Sequence, residues 1–559
     1  MNILFLILIS IVCLLAGYFV YGRFLSRWLS LAKNAQTPAV TFQNNTDFVP
    51  AGKFYLLGQH LSAIAAAGPI VGPILAGLWF GWLPTFLWII LGGIFVGGVH
   101  DMASLVASLR HQGRSIAEVI KETMSRRAFI LFLFFLWFSL VYIIAAFTDI
   151  TASTFAEETN GPAIASSSMM YLGLAFIMGI ILRKWPLPLS ISTLIFFPFV
   201  FVCIFLGPIF PLKLNTLFGW DLRTTWNMAL IAYCFIAAVI PVWILLQPRG
   251  YLGGFFLAIT AGASFIGIIV GSFTQHYSIQ YPAFTGWASP QGLPLVPILF
   301  TTVACGACSG FHCLIASGTT SKQLAKETDA KLVGYGSMLL ESFVAVIALS
   351  TVVILSVSET QSLQDPSQIY ANGIATFLSS LHIDKQFALN FALLAFATFV
   401  YDTLDVATRL GRYIFQELTG WKGRFSPYAA TFVTLILPVI FLTQKITDAQ
   451  GNIVPGWKIF WTAFGSSNQL LAALVLFGLS VWLSKKGKNY IFTLLPSIFM
   501  TLVAVISLIL IIQPWLREIF VEQKFSTDPV GITGLLLLFL ALFLMLEGTT
   551  VLLQKRKSL

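Results

Sequence analysis

Residues 58–73 read GQHLSAIAAAGPIVGP, an apolar stretch that carries His60, Ser62 and two Gly-Pro pairs. Each proline removes a backbone donor and steers the residue before it away from helical geometry. In hydrocarbon, a freed amide or carbonyl needs a partner from protein or from a water-filled cavity. Such a segment breaks its helix at membrane depth, and a break of that kind exposes backbone to a small ligand. The rest of the chain agrees with a membrane setting. Hydrophobic residues make up 57% of the 559, only 10% are charged, and the mean hydropathy is +0.87. Soluble proteins carry roughly 25% charged residues.

Windows of about 20 apolar residues predict about fifteen transmembrane helices, an all-α polytopic membrane protein. The net charge of +10 sits in short clusters between apolar runs, such as Arg110, Arg114, Lys121, Arg126 and Arg127, or Lys485, Lys486 and Lys488. This is the positive-inside pattern, which places the N-terminus outside and the C-terminus in the cytoplasm. It is not the stripe of basic and stacking residues that binds nucleic acid. The N-terminal apolar run has no charged leader and no small-residue cleavage site, so it reads as a retained span. The cysteines all lie in apolar runs and read as small buried residues rather than a disulfide framework. The predicted organisation is an N-terminal span and loop over 1–54, a five-helix half over 55–207, an inverted five-helix half over 228–408, and four peripheral helices over 428–559.

Two further segments are irregular. Residues 231–247, IAYCFIAAVIPVWILLQ, carry a central Pro241. Breaks at corresponding places in two halves point to a transporter's binding site, and these two spans are five apart in order, an odd offset that inverts one against the other. An ordinary proline kink is the alternative. Residues 305–321 combine Cys305, Cys308, Ser309, His312, Cys313 and Thr319 with several glycines and further hydroxyls. The cysteines and His312 superficially suggest zinc, but four ligands on one helix do not converge on one ion. No metal and no cofactor is expected.

Ionisable groups at membrane depth are functional hypotheses by default. Asp402 and Asp405 share a helical face, and Asp405 stands four residues before Arg409, which suggests a structural pair. Asp402 has no such neighbour in sequence and is the leading candidate for proton or cation coupling, followed by Asp101, Glu341 and Asp405. Asp101 also suits pairing with a histidine, and Glu341 a hydrogen bond to a partner helix. His60, in the break itself, suits either a ligand contact or a bond between helices.

Five long segments, in order, carry a family resemblance: GQHLSAIAAAGPIVGPILA, VHDMASLVASLRHQGRSIAEVIKE, AAVIPVWILLQPRGYL, CGACSGFHCLIASGTTSKQL and DTLDVATRLGRYIFQEL. They resemble the carbon starvation protein A family of inner-membrane transporters. The resemblance implies peptide uptake during starvation, with proton-coupled pyruvate transport in related members. It also implies the inverted five-helix repeat of the amino acid–polyamine–cation superfamily, with additional helices.

The resulting expectation is a secondary active transporter of the bacterial inner membrane, not an enzyme. Its substrate is a small carboxylate, a peptide or else pyruvate, coupled to protons or sodium. Helix N-termini offer free amides to a carboxylate. The expected cradle is the amides after Gly68-Pro69 or Gly72-Pro73, with His60, Ser62 and Pro241 beside it and Ser309, His312 and Thr319 opposite. No phosphate-binding GxxxxGK[ST] motif is present to suggest ATP as the driver. A channel or a membrane-embedded metal enzyme is the alternative from another class.

Overall fold

The computed structural model describes residues 2–44, 48–65, 67–123, 125–185, 188–216, 218–241, 243–363, 365–444, 456–523 and 528–556. Among these, thirteen helices are long and apolar enough to cross a membrane, one bent pair makes a fourteenth, and Ser190–Leu206 is a shorter apolar helix. Together they account for the fifteen expected spans. The chain is an all-α, multi-pass membrane protein.

The helices that carry the residues of interest are α1 (Lys53–Ile64), α2 (Gly68–Phe80), α3 (Trp82–Gly92), α4 (Gly98–Arg110), α5 (Leu222–Val239), α6 (Leu246–Thr274), α7 (Leu295–Val303), α8 (Phe311–Gly318), α9 (Ser337–Val353), α10 (Lys385–Thr419) and α11 (Gly456–Lys485). They fall into two compact units, each assembled from separate stretches of chain. The first unit comprises residues 6–139, 282–349 and 462–559. The second comprises 1–5, 140–281 and 350–461.

In the first unit the break lies where the sequence places it. α1 ends at Ala65 (φ −80°, ψ 58°), and α2 begins at Gly68 with Pro69 in its first turn, where no amide partner is needed. The two helices are bent by 49°. Gly72-Pro73 is not a second break, because α2 runs straight through it. Gly72 serves close packing instead. A Cβ there would lie 2.5 Å from the Thr302 carbonyl oxygen and 2.8 Å from that of Val303.

α7 breaks in turn. Ala304 has φ 36° and ψ −102°, a conformation that β-carbon-bearing residues rarely adopt, and α8 starts only at Phe311. A Cβ on Gly68 would meet the side chain of Cys305, while one on Gly72 meets Thr302 and Val303. Contacts that descend as α2 ascends mean that the two broken helices run antiparallel and touch at their breaks. Gly72→Ala therefore forces backbone against backbone. It is expected to cost about 1–3 kcal/mol, read as a lower thermal midpoint of purified protein; unchanged stability would contradict this contact.

Of the π-helical turns described in this unit, two lie near the buried acids: Gly93–Gly97 between α3 and α4, and Lys331–Gly336 before α9. Such turns recur at functional sites, and here they precede His100-Asp101 and Glu341. Gly97 and Gly98 give way to the Ala307 carbonyl and the Tyr335 ring. One end of the unit gathers charges. Arg110 and Lys488 both donate to the Leu29 carbonyl (2.8 and 3.0 Å), and Glu327 pairs with Arg110 at 2.8 Å. Partial burial and the nearby Arg110 hold the Lys488 ammonium below the ordinary lysine value.

In the second unit, Pro241 does not sit mid-helix. α5 stops at Val239 and α6 starts at Leu246, so the proline marks a connection between two spans. Pro241 lacks the N–H that would bond the Ala237 carbonyl one turn back. Arg409 takes that carbonyl, together with the one on Ile240, each at 2.6 Å. A cation on the last carbonyls of a helix also favours its dipole.

Candidate functional site

The touching breaks of the first unit lie among buried ionisable side chains. α4 presents His100 and Asp101, α8 presents His312, and α9 presents Glu341; all four are fully buried. Asp101 joins both imidazoles. Its Oδ1 lies 2.7 Å from His100 Nδ1 and its Oδ2 lies 2.8 Å from His312 Nδ1. An ionised Asp101 carboxylate only accepts hydrogen bonds, so each histidine presents an N–H to it at Nδ1. His312 Nε2 stands 3.3 Å from Glu341 Oε2, without the alignment of a hydrogen bond. Both Glu341 oxygens and His100 Nε2 are buried with no hydrogen-bond partner among the described residues.

This arrangement has a definite chemistry. Two carboxylates and two imidazoles share one low-dielectric interior, where an uncompensated charge is costly. A proton on Glu341 or on His312 Nε2 relieves that cost, and the short separation allows it to pass between them. Among the described residues no group of three or more His, Cys, Asp or Glu side chains is placed to hold a metal ion.

His60 faces the same region from α1. Its Nδ1 lies 2.7 Å from Thr320 Oγ1, its Nε2 is buried without a partner, and it stands within Coulombic reach of Asp101 and His312. The hydroxyl that meets it is thus Thr320, not Thr319, which is exposed and bonds back to Ile315. Ser62, two residues from His60, is buried. Gly68 and Pro69 open α2, but the first free amides are already used: Ile70 and Val71 both donate to the Ala67 carbonyl. The expected carboxylate cradle on those amides is therefore closed. Ser309 lies in the second break and is bound to Asn468, with Asn468 Nδ2 at 3.1 Å.

Asn468 and Gln469 are the functional candidates that sequence reasoning missed. Asn468 Oδ1 accepts from the Phe311 amide (3.0 Å), and Gln469 Nε2 donates to the Cys308 carbonyl (2.9 Å). A signal was present. Residues 466–469, SSNQ, form a polar run inside the otherwise apolar α11.

Comparison with known proteins decides the family. The model of the carbon starvation protein CstA family matches residues 2–370 and 358–507. The chain belongs to this family. Among curated relatives, the peptide transporter CstA of Campylobacter jejuni is 33% identical, covering 89% of this chain and 78% of its own. The peptide transporter CstA of Escherichia coli is 31% identical over 87% of this chain and 78% of its own. The pyruvate/proton symporter BtsT of Escherichia coli is 30% identical, over 94% and 82% respectively. Among solved structures, MhsT in complex with L-phenylalanine aligns with a TM-score of 0.48 and 11% identity, covering 83% of this chain and 99% of its own.

For this family member, the sequence-based ranking of acids changes. Asp402 and Asp405, in the second unit, are not free. Arg249 of α6, fully buried, reaches Asp402 Oδ1 through Nε at 2.8 Å and Asp405 Oδ2 through Nη1 at 2.5 Å. Tyr233 of α5 completes the knot, accepting from Arg249 at 2.8 Å and donating to Asp405 at 2.9 Å. The expected Asp405–Arg409 pair does not form, because Arg409 is spent on the end of α5. Asp402 therefore has a fixed cation as its partner, whereas Glu341 has a titratable imidazole.

Proposed function

We propose that the chain is a secondary active transporter that imports small carboxylate-bearing nutrients, peptides foremost, in symport with protons. The single observation that carries this reading is the buried Asp101–His312–Glu341 cluster beside two touching helix breaks. It couples a change of protonation to backbone that is already irregular and so able to rearrange. The paired breaks at 65–67 and 304–310 take the place of the pairing with Pro241 as the inverted elements. His60 Nε2 is the contact for a substrate carboxylate, and Ser62 lies on a different face of the same helix. The names of the relatives support both the peptide and the proton. Pyruvate is the second reading, favoured by the symporter relative. The charge clusters support an orientation with the N-terminus outside and the C-terminus in the cytoplasm, and the family supports the bacterial inner membrane.

Uptake by proteoliposomes tests the proposal. With an inward proton gradient, labelled alanine dipeptide is expected to accumulate, and a protonophore should collapse the accumulation. Labelled pyruvate in the same vesicles separates the two substrates. Accumulation driven by a sodium gradient but not by protons, or uptake of neither compound, would overturn the assignment.

A further inference from the structure

The half-helix α8 carries His312 in its first turn, yet it has no cap of its own. An N-terminal turn leaves amides without intrahelical partners, and the residue before the helix normally supplies a side-chain acceptor. Here that residue is Gly310. No side chain fits there, since a Cβ would lie 2.5 Å from the Asn468 carbonyl oxygen and 2.6 Å from the Ala472 nitrogen. Ser309, one residue earlier, has its hydroxyl engaged by Asn468 Nδ2 and by Cys305 Sγ.

The missing cap comes from α11. Asn468 Oδ1 accepts from the Phe311 amide at 3.0 Å, and the Asn468 carbonyl accepts from the Gly310 amide at 3.2 Å. Gln469 supplies the opposite need, donating to Cys308 O at 2.9 Å and to Phe300 O at 3.3 Å, on either side of the break. One polar turn of a neighbouring helix thus satisfies amides and carbonyls that the unwound backbone leaves bare.

From this we infer that Asn468 is a positioning residue for proton transfer: it caps α8 in trans and so holds His312 between Asp101 and Glu341. The inference rests on the proton-symport reading. Without the cap, the amides of Gly310 and Phe311 find partners most readily by winding onto the preceding carbonyls. Each residue of added winding turns a helix by about 100°, which would carry His312 off the line between the two acids.

Two variants and two measurements test it. Asn468→Asp keeps an acceptor of the same size for the Phe311 amide, and Asn468→Ala removes it. Hydrogen–deuterium exchange over residues 310–315 is expected to speed up by about tenfold or more in Asn468→Ala and to stay within about threefold of wild type in Asn468→Asp. This readout needs no substrate, so it stands even if neither peptide nor pyruvate is carried. Uptake of labelled alanine dipeptide is then measured from pH 5 to 8. Asn468→Ala should shift the pH of half-maximal uptake by about half a unit or more, and Asn468→Asp should restore the wild-type profile. Wild-type exchange in Asn468→Ala would overturn the capping role. A lower amplitude with an unmoved pH profile would overturn the positioning role.

Discussion

Asp101→Asn is expected to abolish uphill uptake, lowering the gradient-driven rate by about 10²–10³-fold, while exchange of substrate between equal pools continues. The reason lies in how Asp101 serves two imidazoles at once, at 2.7 and 2.8 Å. Asparagine matches the shape, but one of its two oxygens becomes an NH₂ donor facing an Nδ1–H. One histidine must then change tautomer or turn away. The negative charge that stabilises a protonated His312 is also lost. Counterflow measured beside gradient-driven accumulation separates coupling from binding. Equal loss of both would assign Asp101 to structure alone, and no loss would remove it from the mechanism.

The largest effect on stability is expected at Arg249. Removing one partner of a buried ion network leaves uncompensated charge and costs about 3–5 kcal/mol. Arg249→Met would strand Asp402 and Asp405 together in a fully buried setting, with Tyr233 able to serve only one of them. The expected result is poor expression or a sharply lower thermal midpoint. Adding Asp402→Asn and Asp405→Asn should recover most of the loss, because the polar shapes remain while the charges go. A single Arg249→Met variant as stable as wild type would show that the two aspartates are not held by this arginine.

Much of this molecule was legible in its sequence, because the relevant signals are local. Apolar length gives the spans. Pro69, with Gly68 before it, fixes the first break, since proline acts on its immediate neighbours. Local reasoning failed where a partner comes from elsewhere in the chain. Gly72-Pro73 resembles a break, but its glycine answers the Thr302 and Val303 carbonyls, about 230 residues away in sequence, a separation that helix rules cannot see. The sequence suggests Pro241 as a break within one span, whereas it lies between α5 and α6, and the carbonyl its missing N–H leaves is taken by Arg409 from a distant helix. Asp402 was read as unpaired for the same reason: the i+4 rule inspects only its own helix, and Arg249 lies on another. Thr319 and Thr320 are adjacent, and the choice between them depends on the turn at the end of α8. The grouping of Asp101, His312 and Glu341 required the fold, because α4, α8 and α9 each contribute an unremarkable polar residue to it.

Substrate-driven proton movement tests the central claim most directly. Proteoliposomes holding a pH-sensitive dye, with no gradient imposed, are given alanine dipeptide outside. Wild-type vesicles are expected to acidify inside as peptide enters. Glu341→Gln vesicles, which keep the shape of the side chain but lose its proton site, are expected to exchange labelled dipeptide without acidifying. Acidification at the wild-type rate in Glu341→Gln vesicles would contradict the account.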